Sequence, residues 1–458
     1  MGGYFDQADH RRLLVEYPLG EAFLAGPARL SRDALRDLQE RRFRQVLARA
    51  WQVPFYARRW RAAGLEPADV RGLDDLGKLP SFSKADLMRS IDEHPPFGDY
   101  HGRDGHPEWN LVMHTTSGTT GQPQPIYYGA WDREVQNALL ARAYLLQGLR
   151  PEDVVHSVYG FGMVNGGHYV REAVLHFTDC LLLPAGTGLE TRSEQQVALM
   201  RRFRATVLVG FIDYIKRLAE VARESGIEPA RDLAVRMISG HIGQESREAV
   251  TELWGEVEIF DWYGVGDTGI VAAEAPDRDG RYIWEDAHLV EIVDPDSGAA
   301  QADGTPGNIC VTVLFKNTVY PIVRFDTNDV SAILPGRGTL LPGFRRLTGF
   351  QGRSDNMVKL RGINIYPTAI GAHLAADKAA GGEYVCRVAR EGSREVMNVV
   401  VELAPGVAAS EEIRTRLAEL LRQRLGVEVG VELAEPGETA PFTEIEQRQK
   451  PIRLIDER

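Results

Sequence analysis

Residues 115–123 read Thr115-Thr116-Ser117-Gly118-Thr119-Thr120-Gly121-Gln122-Pro123, between the apolar runs Leu111-Val112-Met113 and Ile126-Tyr127-Tyr128. Glycines let a backbone turn tightly and present its N–H groups at close range, while hydroxyls add short donors for anionic oxygens. Such a loop can wrap a polyphosphate. It lacks the Gly-Lys-Ser/Thr ending of a Walker loop, which argues against a P-loop nucleotide hydrolase. The same composition also marks a polar hairpin turn, and the loop alone does not choose between the two.

Further stretches carry complementary chemistry. Asp261-Trp262-Tyr263-Gly264-Val265-Gly266-Asp267-Thr268-Gly269 sets a ring, small residues and a carboxylate at a strand exit. The ring can stack on a purine, and Asp267 is a hard oxygen ligand suited to Mg²⁺; a glycine-rich turn beside a core tyrosine fits equally. In Pro321-Ile322-Val323-Arg324-Phe325-Asp326-Thr327-Asn328-Asp329, the carboxylate of Asp329 is placed to accept from ribose hydroxyls or to cap a turn. Gly352-Arg353-Ser354-Asp355 offers the planar fork of Arg353 to ribose or phosphate oxygens. Gly362, in the following 357–366 stretch, can let a strand pass close to a thiol donor. Lys450 is a cation near the chain end, where a solvated lysine is the ordinary case.

These residues need a framework. Residues 31–51 predict an amphipathic helix capped by Ser31, with Leu35, Leu38, Phe43, Val46 and Leu47 on one face. Between about 105 and 350, β-rich runs at 153–158, 180–183 and 205–209 alternate with helical stretches near 194–204 and 213–224. That alternation predicts a parallel-rich sheet with crossover helices. Residues 281–333 are richer in strands, with a turn at Asp294-Pro295-Asp296-Ser297-Gly298. A boundary falls at 348–356. Beyond it, strands at 396–402 and 427–433 flank a helix from Ser410 to Gly426, a small α+β module. The expected architecture is α/β, with a large domain over 1–354 and a small one over 355–458.

The 458 residues are 43% hydrophobic and 26% charged, ordinary for a globular chain. With 53 basic and 65 acidic residues the net charge is −12, a poor basis for binding nucleic acid or an anionic membrane. Cys180, Cys310 and Cys386 have no Cys-x-x-Cys spacing, which argues against a disulfide framework or thiolate zinc site. Neither a signal-peptide pattern nor an apolar run of membrane length is present, so a cytoplasmic location is expected.

In order and spacing these stretches resemble the adenylate-forming superfamily, and within it the phenylacetate–coenzyme A ligase-like branch. The resemblance rests also on Val53-Pro54-Phe55-Tyr56, on residues 73–78, and on Leu79-Pro80-Ser81-Phe82-Ser83-Lys84-Ala85-Asp86-Leu87. Tyr159-Gly160-Phe161-Gly162 followed by Gly166-Gly167 belongs to it as well, and it spans residues 53–456. It implies a large multi-sheet domain with a small mobile C-terminal domain, ATP and Mg²⁺, a carboxylic acid and, as second substrate, coenzyme A. Adenylation of the acid would be followed by displacement of AMP by the thiol. By position, Thr116, Ser117, Gly118, Thr119, Thr120 and Gly121 would hold the β/γ-phosphates, and Asp267 would bind or orient Mg²⁺. Tyr263 and Gly264 would flank adenine, Asp329 and Arg353 would fix the ribose, and Asp355 would be the hinge. Lys450 would bridge the carboxylate and α-phosphate oxygens.

The acid implied is aromatic, phenylacetate- or benzoate-like, in a slot lined by Tyr159, Phe161, Gly240 and His241. A ring hydroxyl or amine could meet His241 or His168. Departures from the branch pattern touch this region: Gly266-Asp267 stands where a Ser-Glu pair is usual, one methylene shorter, so that Asp267 can reach Mg²⁺ through water. Gly240-His241-Ile242-Gly243-Gln244 lacks an acid and a proline, and Asp326-Thr327-Asn328-Asp329 replaces Arg-Thr-Arg-Asp. A carrier protein or amine acceptor, a catalytically impaired adenylate-binding homologue, and a kinase-like phosphotransferase are the alternatives.

Overall fold

Ser31 starts the first long helix by local chemistry: its hydroxyl accepts from the N–H of Ala34 at 3.2 Å, and the helix Arg32–Ala50 follows. Leu35, Phe43, Val46 and Leu47 are buried as expected, but so are Gln39 and Arg42. Gln39 donates to the carbonyl of Glu285 at 2.8 Å, and Arg42 donates to the carbonyls of Asp286 and Glu16. Polar positions on the inner face are thus satisfied by a distant loop.

The computed structural model describes residues 3–103, 110–116, 123–243, 246–361, 363–391, 394–444 and 451–458. Ser117, Gly118, Thr119, Thr120, Gly121, Gln244, Gly362 and Lys450 lie outside the described residues. Strands β1 (Val112–Thr115) and β2 (Pro125–Tyr128) pair antiparallel on either side of the Ser/Thr/Gly stretch. The expected parallel core is formed by β3 (Val154–Ser157), β4 (Leu181–Pro184), β5 (Val207–Phe211), β6 (Met237–His241) and β7 (Glu258–Val265). Helices Gly166–Phe177, Ser193–Phe203, Ile212–Glu224 and Arg247–Trp254 alternate with these strands. Then β8 (Gly269–Glu274) and β9 (Arg281–Ile283) continue the sheet antiparallel.

A second sheet contains β10 (His288–Val293), β11 (Gly307–Val313) and β12 (Ile322–Ser331); the Asp294 turn closes β10, its carboxylate accepting from the N–H and hydroxyl of Ser297. After it, β13 (Arg346–Leu347) joins β9, and β14 (Gly352–Arg353) pairs with β12. Among the described residues the larger sheet has eight strands, in the order β13-β9-β8-β7-β6-β5-β3-β4. No helix of these residues is long and apolar enough to cross a membrane.

The C-terminal part has a hydrophobic core of its own, drawn from residues between Val358 and Val431. A short pair, β15 (Val358–Leu360) and β16 (Ile363–Ile365), leads to β17 (Ala380–Glu391), β18 (Arg394–Leu403), β19 (Gly430–Ala434) and β20 (Leu454–Asp456). Their order is β19-β18-β17-β20, with β19 parallel to β18 and β20 parallel to β17. Between β18 and β19 the helix Glu411–Leu425 is capped by Ser410 and ends at Gly426 with φ 72°. The strand expected at 427–433 starts at Gly430, although Val427 and Val429 are buried ahead of it.

One contact in the parallel core constrains sequence tightly. Gly240 of β6 lies beside Gly210 of β5, and a Cβ on Gly240 would come 1.8 Å from the Gly210 carbonyl oxygen. Gly240→Ala must therefore push the strands apart next to His241. It is expected to destabilise the protein by about 1–3 kcal/mol, read as a lower denaturant midpoint; an unchanged midpoint would show that the strands separate freely here.

Candidate active site

Four of the anticipated residues meet in one hydrogen-bonded chain. Asp329 and Arg353 are direct partners in the β12–β14 register, and the Arg353 Nη1 donates to Asp329 Oδ1 at 2.9 Å. The Tyr263 hydroxyl, from the end of β7, donates to Asp329 Oδ2 at 2.9 Å. The other edge of the guanidinium holds Asp355, with Nε and Nη2 donating at 2.8 and 2.6 Å. Asn328 takes the left-handed conformation, φ 59°, and donates from Nδ2 to Asp355 Oδ2 at 3.3 Å. Asn tolerates that conformation better than most residues. A register shift in β12 accommodates the turn, so Asp326, Asn328 and Asp329 present different groups from one strand.

The electrostatics favour fixed protonation. Burial works against charge on Arg353, but the hydrogen bonds to Asp355 and the charge of Asp329 carry its pKa above the ordinary value. Burial, then the Asp329 charge, pushes the Tyr263 phenol well up, so it stays a donor. The cluster presents a carboxylate whose orientation is set on both sides.

Asp267 sits on the loop between β7 and β8 and is buried. Gln124 Nε2 and the Tyr320 hydroxyl both donate to its Oδ1, each at 2.6 Å. Gln124 in turn bonds Thr116 twice: its N–H donates to the Thr116 hydroxyl oxygen Oγ1 at 3.1 Å, and its carbonyl accepts from the Thr116 N–H at 3.0 Å. Thr116 is thereby tied to Asp267 through one residue. Behind them Lys316 is fully buried; its ammonium donates to the Tyr127 carbonyl at 3.1 Å and lies over the rings of Tyr128 and Tyr320. Tyr128 holds the Gly266 carbonyl. Burial raises the Asp267 pKa, while its hydrogen bonds and Lys316 pull it back. With both side-chain donors on Oδ1, the donor set fits a Mg²⁺ ion held by one carboxylate and substrate phosphates. Among the described residues no group of three or more His, Cys, Asp or Glu could hold a metal by itself.

Lys84 is the residue that sequence reasoning passed over. It is the first residue of helix Lys84–Glu93, whose cap is set by Ser83 and Asp86. Phe82 bridges Phe325 of β12, its N–H donating to the Arg324 carbonyl and its carbonyl accepting from Asp326. That stitch brings the half-buried Lys84 into the field of Arg353, Asp267 and Asp355; burial and Arg353 lower its pKa, and the carboxylates oppose them. A cation at a helix N-terminus opposes the helix dipole, a cost that a phosphate ligand would offset. Its motif is visible in the sequence; its partners, 183 or more positions away, are not.

Two of the residues expected at the acid slot, Tyr159 and His241, touch each other. The Tyr159 hydroxyl and His241 Nδ1 are 2.6 Å apart, and the His241 ring stacks on Phe211 and tilts against Trp262 at centroid distances of 4.7 and 4.2 Å. Gly240 precedes this group on β6. Phe161 does not join it: its ring meets His168 edge-on at 5.2 Å, and His168 faces His114 at 5.1 Å. The Phe161 N–H donates to Glu190 at 2.8 Å. Phe211 and Trp262 are the rings packed on His241.

The AMP-binding enzyme family matches residues 66–313, and the AMP-binding enzyme C-terminal domain matches residues 362–458. The chain belongs to the AMP-binding enzymes. Among curated members it is 31% identical over 442 residues to a phenylacetate–coenzyme A ligase of Thermus thermophilus, covering 91% of this chain and 95% of that one. It is 33% identical over 384 residues to the phenylacetate–coenzyme A ligase of Pseudomonas putida, covering 81% and 82%. A crystal structure of 2-hydroxyisobutyryl-CoA ligase in the postadenylation state, bound to R3-HIB-AMP, superposes with a TM-score of 0.81. It shares 27% identity and covers 93% of this chain and 89% of that one. The same ligase in its thioesterification state, with 2-HIB-AMP and CoA, gives 0.67 at 28% identity, covering 94% and 91%. The fold of this AMP-binding enzyme is the adenylate-forming fold.

The buried Asp267 carboxyl allows a sign to be worked out. Its folded pKa is raised above the unfolded value, so the native state holds the proton to higher pH, and stability falls as pH rises from about 4 through the raised value. Asp267→Asn keeps an acceptor for Gln124 and Tyr320 without the charge. Ligand-free, it is expected to melt higher than the parent protein at pH 7, with the gain shrinking towards pH 4, and to lose adenylation. A lower midpoint at pH 7 would contradict this electrostatic reading.

Proposed function

We propose that this chain activates an aromatic carboxylic acid, phenylacetate- or benzoate-like, with ATP and transfers the acyl group to coenzyme A. The observation that carries the reading is the Tyr263–Asp329–Arg353–Asp355 chain in an AMP-binding enzyme. A carboxylate oriented by a phenol and a guanidinium is suited to accept from two ribose hydroxyls. The adenine then lies against Tyr263 and Gly264.

In the first step a carboxylate oxygen of the acid attacks the α-phosphorus, and the bond to the bridging oxygen breaks to release pyrophosphate. Two anions must meet in line while charge builds on the leaving group, so positioning and fixed charge carry most of the load. Thr116, with Ser117, Gly118, Thr119, Thr120 and Gly121, holds the β/γ-phosphates, and Lys84 faces them from β12's side. Asp267 would hold Mg²⁺, which neutralises phosphate charge when bound. Lys450 bridges the acid and the α-phosphate. In the second step the coenzyme A thiolate attacks the acyl carbon and AMP leaves with the former carboxylate oxygen.

The domain division falls at 354/355, with Asp355 as the hinge about which the smaller domain, with its own hydrophobic core, turns between steps. The rings of Tyr159, Phe211, His241 and Trp262 support an aromatic acid. A cytoplasmic location, where ATP and coenzyme A are available, goes with this reading.

A panel of phenylacetate, benzoates, anthranilate and short aliphatic acids, followed by AMP and pyrophosphate formation, tests the reaction. Aromatic acids are expected to lead, and ADP instead of AMP would exclude it. Lys450→Ala is expected to lower ATP–pyrophosphate exchange by ~100-fold or more while sparing thiolysis of a supplied acyl-adenylate. Equal loss of both would assign the lysine another role.

A further inference from the structure

Where the C-terminal sheet meets the large domain, four charges alternate in sign. Helix Ile212–Glu224 contributes Asp213 and Lys216, and the C-terminal sheet contributes Glu383 of β17 and Arg453 just before β20. Arg453 is nearly buried and is locked within its own module: Nη1 and Nη2 donate to Glu383 at 2.8 and 3.1 Å, and Nη1 also donates to the Tyr384 carbonyl at 2.8 Å. Its guanidinium lies over the Tyr384 ring at 4.5 Å. From this fixed position Nη2 reaches Asp213 Oδ1 at 3.9 Å, across to the other domain. Beside it, the Lys216 ammonium comes within 3.8 Å of where a Cβ on Gly382 would lie, and its charge acts on the neighbouring Glu383.

Asp213 and Arg453 thus form an ion-pair contact, and the nearby Lys216 charge favours the ionised form of Glu383, between residues far apart in sequence. Two further facts give the contact a direction. Arg453 follows Lys450 by three positions in the sequence, so holding Arg453 limits how far the chain can carry the proposed bridging lysine from that point. And the whole chain superposes better on the postadenylation state of 2-hydroxyisobutyryl-CoA ligase than on its thioesterification state, 0.81 against 0.67.

We propose that Asp213 and Lys216 are positioning residues for adenylation: with Glu383 and Arg453 they form a charge clasp that favours the arrangement bringing Lys450 to the acid and ATP, and that must part for the thioester step. The inference rests on the acyl–coenzyme A ligase reading above. The clasp members act through the C-terminal domain; none of them touches substrate. Because the pairs are part-exposed, the clasp biases an equilibrium and does not lock it. Phe211, stacked on His241, is two residues before Asp213, so the same helix start lies beside both the clasp and the acid slot.

The test separates the half-reactions in the full-length protein. The double variant Asp213→Asn with Lys216→Gln removes the large-domain charges and leaves Arg453, Glu383 and Tyr384 intact. Its ATP–pyrophosphate exchange is expected to fall about fivefold, the scale of one or two exposed pairs, while thiolysis of a supplied acyl-adenylate by coenzyme A stays equal or rises. Asp213→Glu should keep most of the exchange activity, and raised salt should narrow the gap between parent and double variant. Unchanged exchange, or an equal fall in both half-reactions, would overturn the clasp. If the parent protein itself catalyses neither half-reaction, the ligase reading fails, and that outcome is distinguishable from failure of the clasp because it appears before any substitution.

Discussion

The salt bridge between Asp329 and Arg353 joins the parts of the site that chain order keeps apart. It is a register pair of β12 and β14, so backbone hydrogen bonding sets its geometry before any ligand arrives. On one side it anchors the Tyr263 phenol at the end of the parallel core; on the other its guanidinium holds Asp355, shortly before the residues 362–458 that match the C-terminal domain family. A carboxylate with a donor on each oxygen cannot rotate freely. That preorganisation is what recognition of a ribose requires, since little ordering is left for the moment of binding.

A second constraint operates on charge. Asp267 is buried with two neutral donors on one oxygen, and Lys316 lies behind it on the faces of two tyrosines. The tyrosine hydroxyls hold Gly266 and Asp267, so a buried cation and two rings fix a loop that otherwise consists of small residues. Thr116 is drawn into the same network through Gln124. Two hydrogen-bonded clusters result, one around Asp267 and one around Asp329, with Lys84 in the field of Asp267 and of Arg353.

Local signals were readable where local physics decides. The Ser31 cap, the Asp294 turn, the helix from Ser410 to its Gly426 stop, and β3, β4 and β5 with the helices Ser193–Phe203 and Ile212–Glu224 all appear close to their expected places. Asp329 and Arg353 were identified separately, but their pairing depends on a register that no spacing rule predicts. Lys84, Gln124, Lys316 and Tyr320 acquire meaning only from tertiary neighbours. Phe211 and Trp262, which pack on His241, lie on strands whose apolar residues look like ordinary core, and the Phe161 N–H, donating to Glu190, has a partner no spacing rule indicates. The burial of Gln39 and Arg42 has no local signal, because the groups that satisfy them include backbone carbonyls far along the chain.

The central claim is that Asp329 and Arg353 present a ready-made ribose site beside Tyr263. A crystal structure with a non-hydrolysable ATP analogue tests it most directly. The account predicts both ribose hydroxyls within hydrogen-bonding distance of the Asp329 carboxylate and the purine against Tyr263 and Gly264, with the cluster's own hydrogen bonds retained. A nucleotide bound elsewhere, or an Asp329 still shielded from the ribose by its two donors, would contradict it.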